Sequence, residues 1–119
     1  MPGETDLAEA ASTASNFWVA LANDDVAALR ELLSEEWTPV PDDFAKVYRA
    51  ARGITPFQCR MLNALSEIEE LAPDRLRLRY TTRPQGPFAA GEPLVVWPLE
   101  ILREEGRWLV GRTTPPSAT

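Results

Sequence analysis

The chain contains no histidine and one cysteine, Cys59. Without histidine there is no imidazole base for a hydrolytic triad, no imidazole metal ligand and no side chain with an ordinary pKa near neutrality. With one thiol, no intrachain disulfide closes and no cysteine zinc cluster assembles. Long apolar runs are missing as well. The longest strongly apolar stretch is Leu94–Leu99, LVVWPL, far short of the ~18 residues of a membrane span. The first residues, MPGETD, are acidic and lack the basic, then apolar, order of a secretory signal. A cytoplasmic protein without membrane contact is the expectation. Basic residues are also scarce early on: residues 1–45 hold ten acids and one base, Arg30, whereas residues 46–119 hold eight acids and eleven bases. The net charge of −6 argues against general nucleic-acid binding, which needs clustered cations facing phosphates.

What is present fits one domain. The chain has 119 residues, 45% hydrophobic and 25% charged, an ordinary globular balance. A chain of this size buries roughly 65–70% of its unfolded surface, enough to fold without a metal or disulfide. Residues 1–5 and 115–119 read as frayed tails around a domain at 6–114.

Asp6 and Glu9 resemble a capping box. Leu7, Ala10, Ala11, Ala14, Phe17, Trp18 and Leu21 then recur at helical spacing. "AND" at 22–24 breaks this helix, and Asp24 is placed to cap a second one with Val26, Leu29, Leu32 and Leu33 inward. The prolines of WTPVP, 37–41, bar a central strand and leave a short extended edge segment. DDFAKVYRAARG, 42–53, has Phe44, Val47, Tyr48 and Ala51 on one side and Gly53 as a left-handed cap, a third short helix.

The period then changes to two. RLRLRYTTR, 75–83, puts Leu76, Leu78 and Tyr80 on one face and Arg75, Arg77 and Arg79 on the other. Pairing Ile68 with Leu78 sets Glu69 against Arg77 and Glu67 against Arg79, predicting a hairpin over about residues 60–83. Residues 84–93 read as a loop. A second hairpin turns at Glu104–Gly106. Its first strand is apolar on both faces: Val95, Trp97, Leu99 and Ile101 on one, Leu94, Val96 and Leu102 on the other. Helices can cover one face, and a second copy of the chain is the natural cover for the other.

This order resembles the nuclear transport factor 2-like (SnoaL-like) superfamily. FWVALANDDVAALRELLSEEW, 17–37, is similar to its helix, acidic break, helix and first strand, and EEGRWLVGRT, 104–113, to its closing Gly-Arg-Trp hairpin. The resemblance implies an α+β, cystatin-like cone with three N-terminal helices packed on a curved antiparallel sheet. It also implies a homodimer through the outer sheet face and a small apolar ligand in the cone. The leading expectation is a binding module for such a ligand or a protein partner. The alternative is a cofactor-free isomerase, cyclase or dehydratase acting on a polyketide- or steroid-like substrate. No metal or cofactor is expected.

The candidate catalytic groups are Asp42, Glu100 and Tyr48. Where the isomerase-like members keep an aspartate base, this chain has Val40–Pro41, and Asp42 falls where a helix begins. Asp42 is therefore read as a helix cap donating no chemistry, or as a base turned inward. Glu100 interrupts an apolar strand; it is a rim residue or, facing inward, a general acid or base with a raised pKa. Trp18, Tyr48, Tyr80, Trp97 and Trp108 are the ligand-binding candidates, since each joins an apolar body to a polar tip that needs a partner when buried. Plain core packing is the alternative for each. Cys59 has no neighbouring base to activate it, and Glu35 and Glu36 read as solvated.

Overall fold

The computed structural model describes residues 3–62, 65–82 and 95–112. The loop expected at 84–93, Leu94 and the tail at 115–119 lie outside the described residues. The first helix, α1 (Glu4–Ala22), buries Ala10, Ala14, Phe17, Trp18 and Leu21, the stripe the spacing predicts. It starts ahead of Asp6, with Gly3 as N-cap. Asp6 sits inside the first turn, where it accepts the Gly3 amide at 3.3 Å and the Trp108 indole N–H at 3.2 Å. The acid read as a cap thus ties the helix start to the last hairpin.

The second helix, α2 (Val26–Leu32), is capped by Asp25 rather than Asp24: the Asp25 carboxylate accepts the Ala28 amide at 3.2 Å. Asp24 takes a positive φ of 53° in the break, a conformation aspartate tolerates, and pairs with Arg49 at 3.0 Å. After α2, Leu33 makes one parallel bridge to Val110, and Ser34 donates its amide to the Val110 carbonyl at 2.9 Å. Residues 35–37 form a 3-10 turn, followed by a cis Thr38–Pro39 bond. Of the segment WTPVP, only Trp37 lies in that turn; residues 38–41 join no strand, and the one bridge to the sheet, at Leu33, comes before the prolines.

Helix α3 (Phe44–Arg52) closes on Gly53, as expected. A fourth helix, α4 (Pro56–Met61), was not anticipated. Its signal was present: the Thr55 hydroxyl accepts the Gln58 amide at 3.1 Å, while the Gln58 side chain accepts the Thr55 amide at 2.9 Å, with Pro56 between them. This is a reciprocal capping box with proline in the first turn.

Strands β1 (Leu65–Ala72), β2 (Arg75–Thr82), β3 (Val95–Glu104) and β4 (Arg107–Val110) form one antiparallel sheet in sequential order. The β1–β2 register is the one charge matching predicts: Glu67↔Arg79, Ile68↔Leu78 and Glu69↔Arg77. The β3–β4 turn is Glu105–Gly106, with φ of 51° and 79°. Two positive φ values are what a two-residue hairpin turn demands, and glycine meets the second at no steric cost.

One sheet face carries Leu76, Leu78, Tyr80, Trp97, Leu99, Ile101, Trp108 and Val110, all buried. Helix α1 lies on this face against β3 and β4, with the other helices gathered around it. The result is an α+β domain with helices on one side of a four-stranded sheet. The helix layer leaves β1 least covered: Ile68 shares the face of Leu78 yet stays 38% exposed. On the outer face Arg77 and Arg79 reach Glu69 at 3.1 and 3.2 Å, and Arg79 reaches Glu67 at 3.3 Å. Exposed pairs of this kind stabilise little, but a one-residue slip would break all of them. The outer face is therefore mostly paired charge. Of the apolar residues expected there, Leu102 is buried and Val96 remains 44% exposed. Among the described residues, no helix is long and apolar enough to cross a membrane.

The capping pattern sets a first prediction. Asp25→Ala should lower stability by about 1 kcal/mol in urea denaturation. Asp43→Ala, whose carboxylate makes no cap hydrogen bond, should stay within about 0.5 kcal/mol of the parent. Equal losses for the two would contradict the assignment.

Candidate functional site

Aromatic rings run in a chain from the sheet to α3. Tyr80 on β2 meets Trp18 on α1 at 5.9 Å between centroids, and Trp18 meets Phe17 at 5.3 Å. Phe17 meets Tyr48 on α3 at 5.3 Å, and Tyr48 meets Phe44 at 5.7 Å and Trp37 at 5.9 Å. Most pairs are edge-on, the arrangement the ring quadrupoles favour by about 0.5–1.5 kcal/mol each. Two adjacent residues of α1, Phe17 and Trp18, are both buried, so the helix presents a wide apolar face that touches the sheet on one flank and α3 on the other.

The polar tips separate the aromatic candidates. The Trp97 indole donates to Thr82 Oγ1 at 2.9 Å, and the Trp108 indole donates to Asp6. Both are satisfied within the fold, which favours a packing role. Trp18 Nε1 and the Tyr48 hydroxyl are buried with no hydrogen-bond partner, and these residues are 2% and 3% exposed. A buried polar group left unpaired costs about 1–3 kcal/mol, so two in one domain call for an explanation. Burial pushes the Tyr48 phenol up to about 12, with the Arg52 charge opposing part of the rise, and burial pushes Tyr80 up to about 12. Tyr48 is thus a neutral donor at physiological pH.

Arg52, in the last turn of α3, lays its guanidinium carbon 3.7 Å from the Tyr48 ring centroid and 6.0 Å from that of Trp37. Burial lowers the Arg52 pKa, partly opposed by Tyr48. The Arg112 guanidinium approaches the Trp37 ring at 6.0 Å. Two cations therefore stand near one aromatic ring.

The candidate acids are elsewhere. Asp42 is not the N-cap of α3; its side chain is 93% exposed and pairs with Arg30 at 2.8 Å. Glu100 points to the outer sheet face and accepts from Arg75 Nε at 2.7 Å. Arg75 thus holds its carboxylate on that face, away from the interior. Among the described residues the only buried polar side chains are Ser34 and Thr82, so no carboxylate accompanies the buried donors. Cys59 is buried, and burial pushes its thiol up to about 11, away from nucleophilic character. Among the described residues, no three cysteine or carboxylate side chains come together as a metal-binding cluster.

Trp37 and Arg52 were not singled out from the sequence. Glu36, read as solvated, is exposed but also paired: its Oε1 accepts the Arg112 amide at 2.7 Å and Arg75 Nη2 at 3.0 Å, and its Oε2 accepts Arg75 Nη1 at 3.2 Å. The Arg75 hydrogen bonds hold its carboxyl below the ordinary 4.5, against the effect of burial. The adjoining Trp37 donates its indole N–H to the Gly111 carbonyl at 2.9 Å. A Cβ at Gly111 would lie 2.7 Å from Leu102 Cδ2 and 3.0 Å from Glu36 Oε1, so a larger residue there would push those side-chain ends aside. One signal was legible: Arg75 faces Ala72 on β1, which leaves its guanidinium to find acids off that strand.

Three open clefts of about 300, 370 and 460 Å³ lie along α1, α2 and the β3–β4 turn. Neither Trp18 nor Tyr48 lines any of them.

Removing the unpaired hydroxyl should not harm the fold. Tyr48→Phe is expected to be as stable as the parent at pH 7, or more stable by about 1 kcal/mol. The ordinary phenol value is 10.0 and the folded value is about 12. The neutral phenol is therefore favoured by folding below pH 10, and that contribution is lost as pH rises from 10 to 12. Tyr48→Phe should accordingly lose less stability than the parent over this window in urea denaturation. A loss above about 1 kcal/mol at pH 7 would show that the hydroxyl has a partner in the folded protein.

No family model, curated protein sequence or solved structure matches this chain.

Proposed function

We propose that this chain is a binding module of the nuclear transport factor 2-like type, whose helix–sheet interior receives a small, largely apolar molecule. One observation carries the reading: the Trp18 indole N–H and the Tyr48 hydroxyl end in an apolar interior without a protein acceptor. Ligand sites join apolar walls to a few fixed polar groups. Here the walls are Phe17, Phe44, Trp37 and Tyr80, and the fixed groups are two donors. An acceptor on a bound molecule satisfies what the fold leaves open. The order of helices followed by an antiparallel meander supports the cone assignment.

The same observation counts against an isomerase, cyclase or dehydratase. Proton transfer by such an enzyme needs an acid or base within reach of the reacting atoms. Asp42 and Glu100 are held outside by Arg30 and Arg75, and Tyr48 alone, with its phenol near 12, is a donor rather than a base. A homodimer through the outer sheet face belongs to this proposal through the exposed Val96 on β3, although the charged pairs around it give that face less apolar area than the sequence implied.

Native mass spectrometry of freshly purified protein tests the reading, because it counts subunits and retained molecules together. The expected spectrum contains a dimer and a small-molecule adduct that organic extraction removes. A bare chain mass that gains no adduct on incubation with apolar probes would overturn the binding assignment.

A further inference from the structure

The two edges of the sheet differ. Beside β4, Leu33 bridges Val110, and Ser34 donates its amide to the Val110 carbonyl. At the opposite edge, β1 pairs with β2 alone among the described residues. Every second residue of β1 therefore turns its N–H and C=O away from β2. An open edge of this kind is a template for another strand, and proteins guard it with bulges, charge or cover. In β1 the register shifts between Leu65 and Glu67 and between Glu70 and Ala72, which leaves residues 67–70, EIEE, as the regular stretch. Glu67 and Glu69 lie opposite Arg79 and Arg77 on the outer face, and Ile68 and Glu70 lie opposite Leu78 and Leu76 on the helix-side face. Ile68 is 38% exposed, and Glu70 is exposed with no side-chain partner among the described residues.

We propose that the β1 edge receives an extended segment of a partner protein, with bases facing Glu67, Glu69 and Glu70 and an apolar residue facing Ile68. This surface is independent of the ligand-binding reading above. A second copy of β1 is the wrong occupant. Antiparallel pairing of residues 67–70 with themselves sets Glu67 against Glu70 and Ile68 against Glu69, and like charges directly opposite destabilise a sheet. The acids that exclude a copy select a basic strand. The fold already shows this chemistry on the other side of β1. Arg77 and Arg79 reach Glu69 at 3.1 and 3.2 Å, and Arg79 reaches Glu67 at 3.3 Å. The Glu67 and Glu69 side chains still stay 62% and 43% exposed, and a carboxylate accepts from more than one donor. Bases on an added strand meet the same carboxylates from the open side. Backbone hydrogen bonds then supply affinity, and the side-chain pattern supplies specificity. Read in its own direction, an antiparallel occupant carries base, base, apolar, base opposite residues 70, 69, 68 and 67.

Three end-capped, dye-labelled peptides of one composition test this by fluorescence anisotropy: TKRLRVE, which has the required order, TERLRVK, which puts an acid opposite Glu70, and the scramble RRKELTV. TKRLRVE should bind about threefold to fivefold tighter than TERLRVK, the range that one cross-strand charge pair supports, and the scramble should bind weakest. TKRLRVE should also slow amide hydrogen exchange within residues 67–70. Glu70→Lys should reverse the order of the first two peptides. A folding defect would weaken both alike, and bulk attraction to an acidic protein cannot separate peptides of equal charge. Equal binding of the scramble would overturn the proposal, as would unchanged exchange in β1 or an order that Glu70→Lys leaves intact. Exchange in β1 that slows with protein concentration, without peptide, would assign the edge to a second copy and overturn it as well.

Discussion

Arg75 joins parts of the fold that are far apart in sequence. Its guanidinium holds both oxygens of Glu36 in the turn after α2, and its Nε holds Glu100 on β3. Glu36 in turn takes the amide of Arg112 beyond β4. One side chain therefore fixes where the helical half meets the sheet. The position of Trp37 follows, since it is the next residue and its indole bonds to Gly111. Trp37 packs on Phe44 and Tyr48, so the inner aromatic surface is positioned from an ion-pair network on the outer side of the sheet. The network is partly exposed, which limits its contribution to stability. Its effect is geometric: charge-assisted, two-pronged hydrogen bonds specify orientation as well as attraction.

Within that frame the interior leaves two donors unpaired. The chain satisfies other buried polar groups with care. Trp97 finds Thr82, Trp108 finds Asp6, Thr13 donates to the Trp108 carbonyl, and Ser34 pairs with Val110. Against that background, Trp18 and Tyr48 are exceptions. Consistent local choices specify a fold, and the places where consistency fails tend to be sites of function. The exceptions lie on neighbouring helices, α1 and α3, with Phe17 packed between their rings.

Elements with strong periodicity were legible in the sequence. The α1 stripe, the α3 helix ending at Gly53 and both hairpins follow from spacing, and the Glu67 and Glu69 register against Arg79 and Arg77 follows from charge matching. Helix starts were less legible, because adjacent acids compete for one cap. At Asp24–Asp25 and Asp42–Asp43 the choice depends on backbone angles that tertiary contacts set: Asp24 is drawn to Arg49 and Asp42 to Arg30. The role of Glu36 was hidden for the same reason, since its partner Arg75 lies 39 positions away. The list of aromatic candidates contained both unpaired donors, but composition cannot say which tips find partners. That division came from register, which places Trp97 diagonal to Thr82, and from the α1 start, which places Asp6 beside Trp108.

The central claim is that Trp18 and Tyr48 offer donors to a bound molecule. Nitrogen-proton NMR of the indole groups measures this directly, in protein as purified and after passage over an apolar resin that strips bound molecules. Trp37, Trp97 and Trp108 bond to protein acceptors, so their indole signals should hold still. The Trp18 signal should move on stripping and return when the extract is added back. An unmoved Trp18 signal, with all four indole protons identical before and after, would contradict the account.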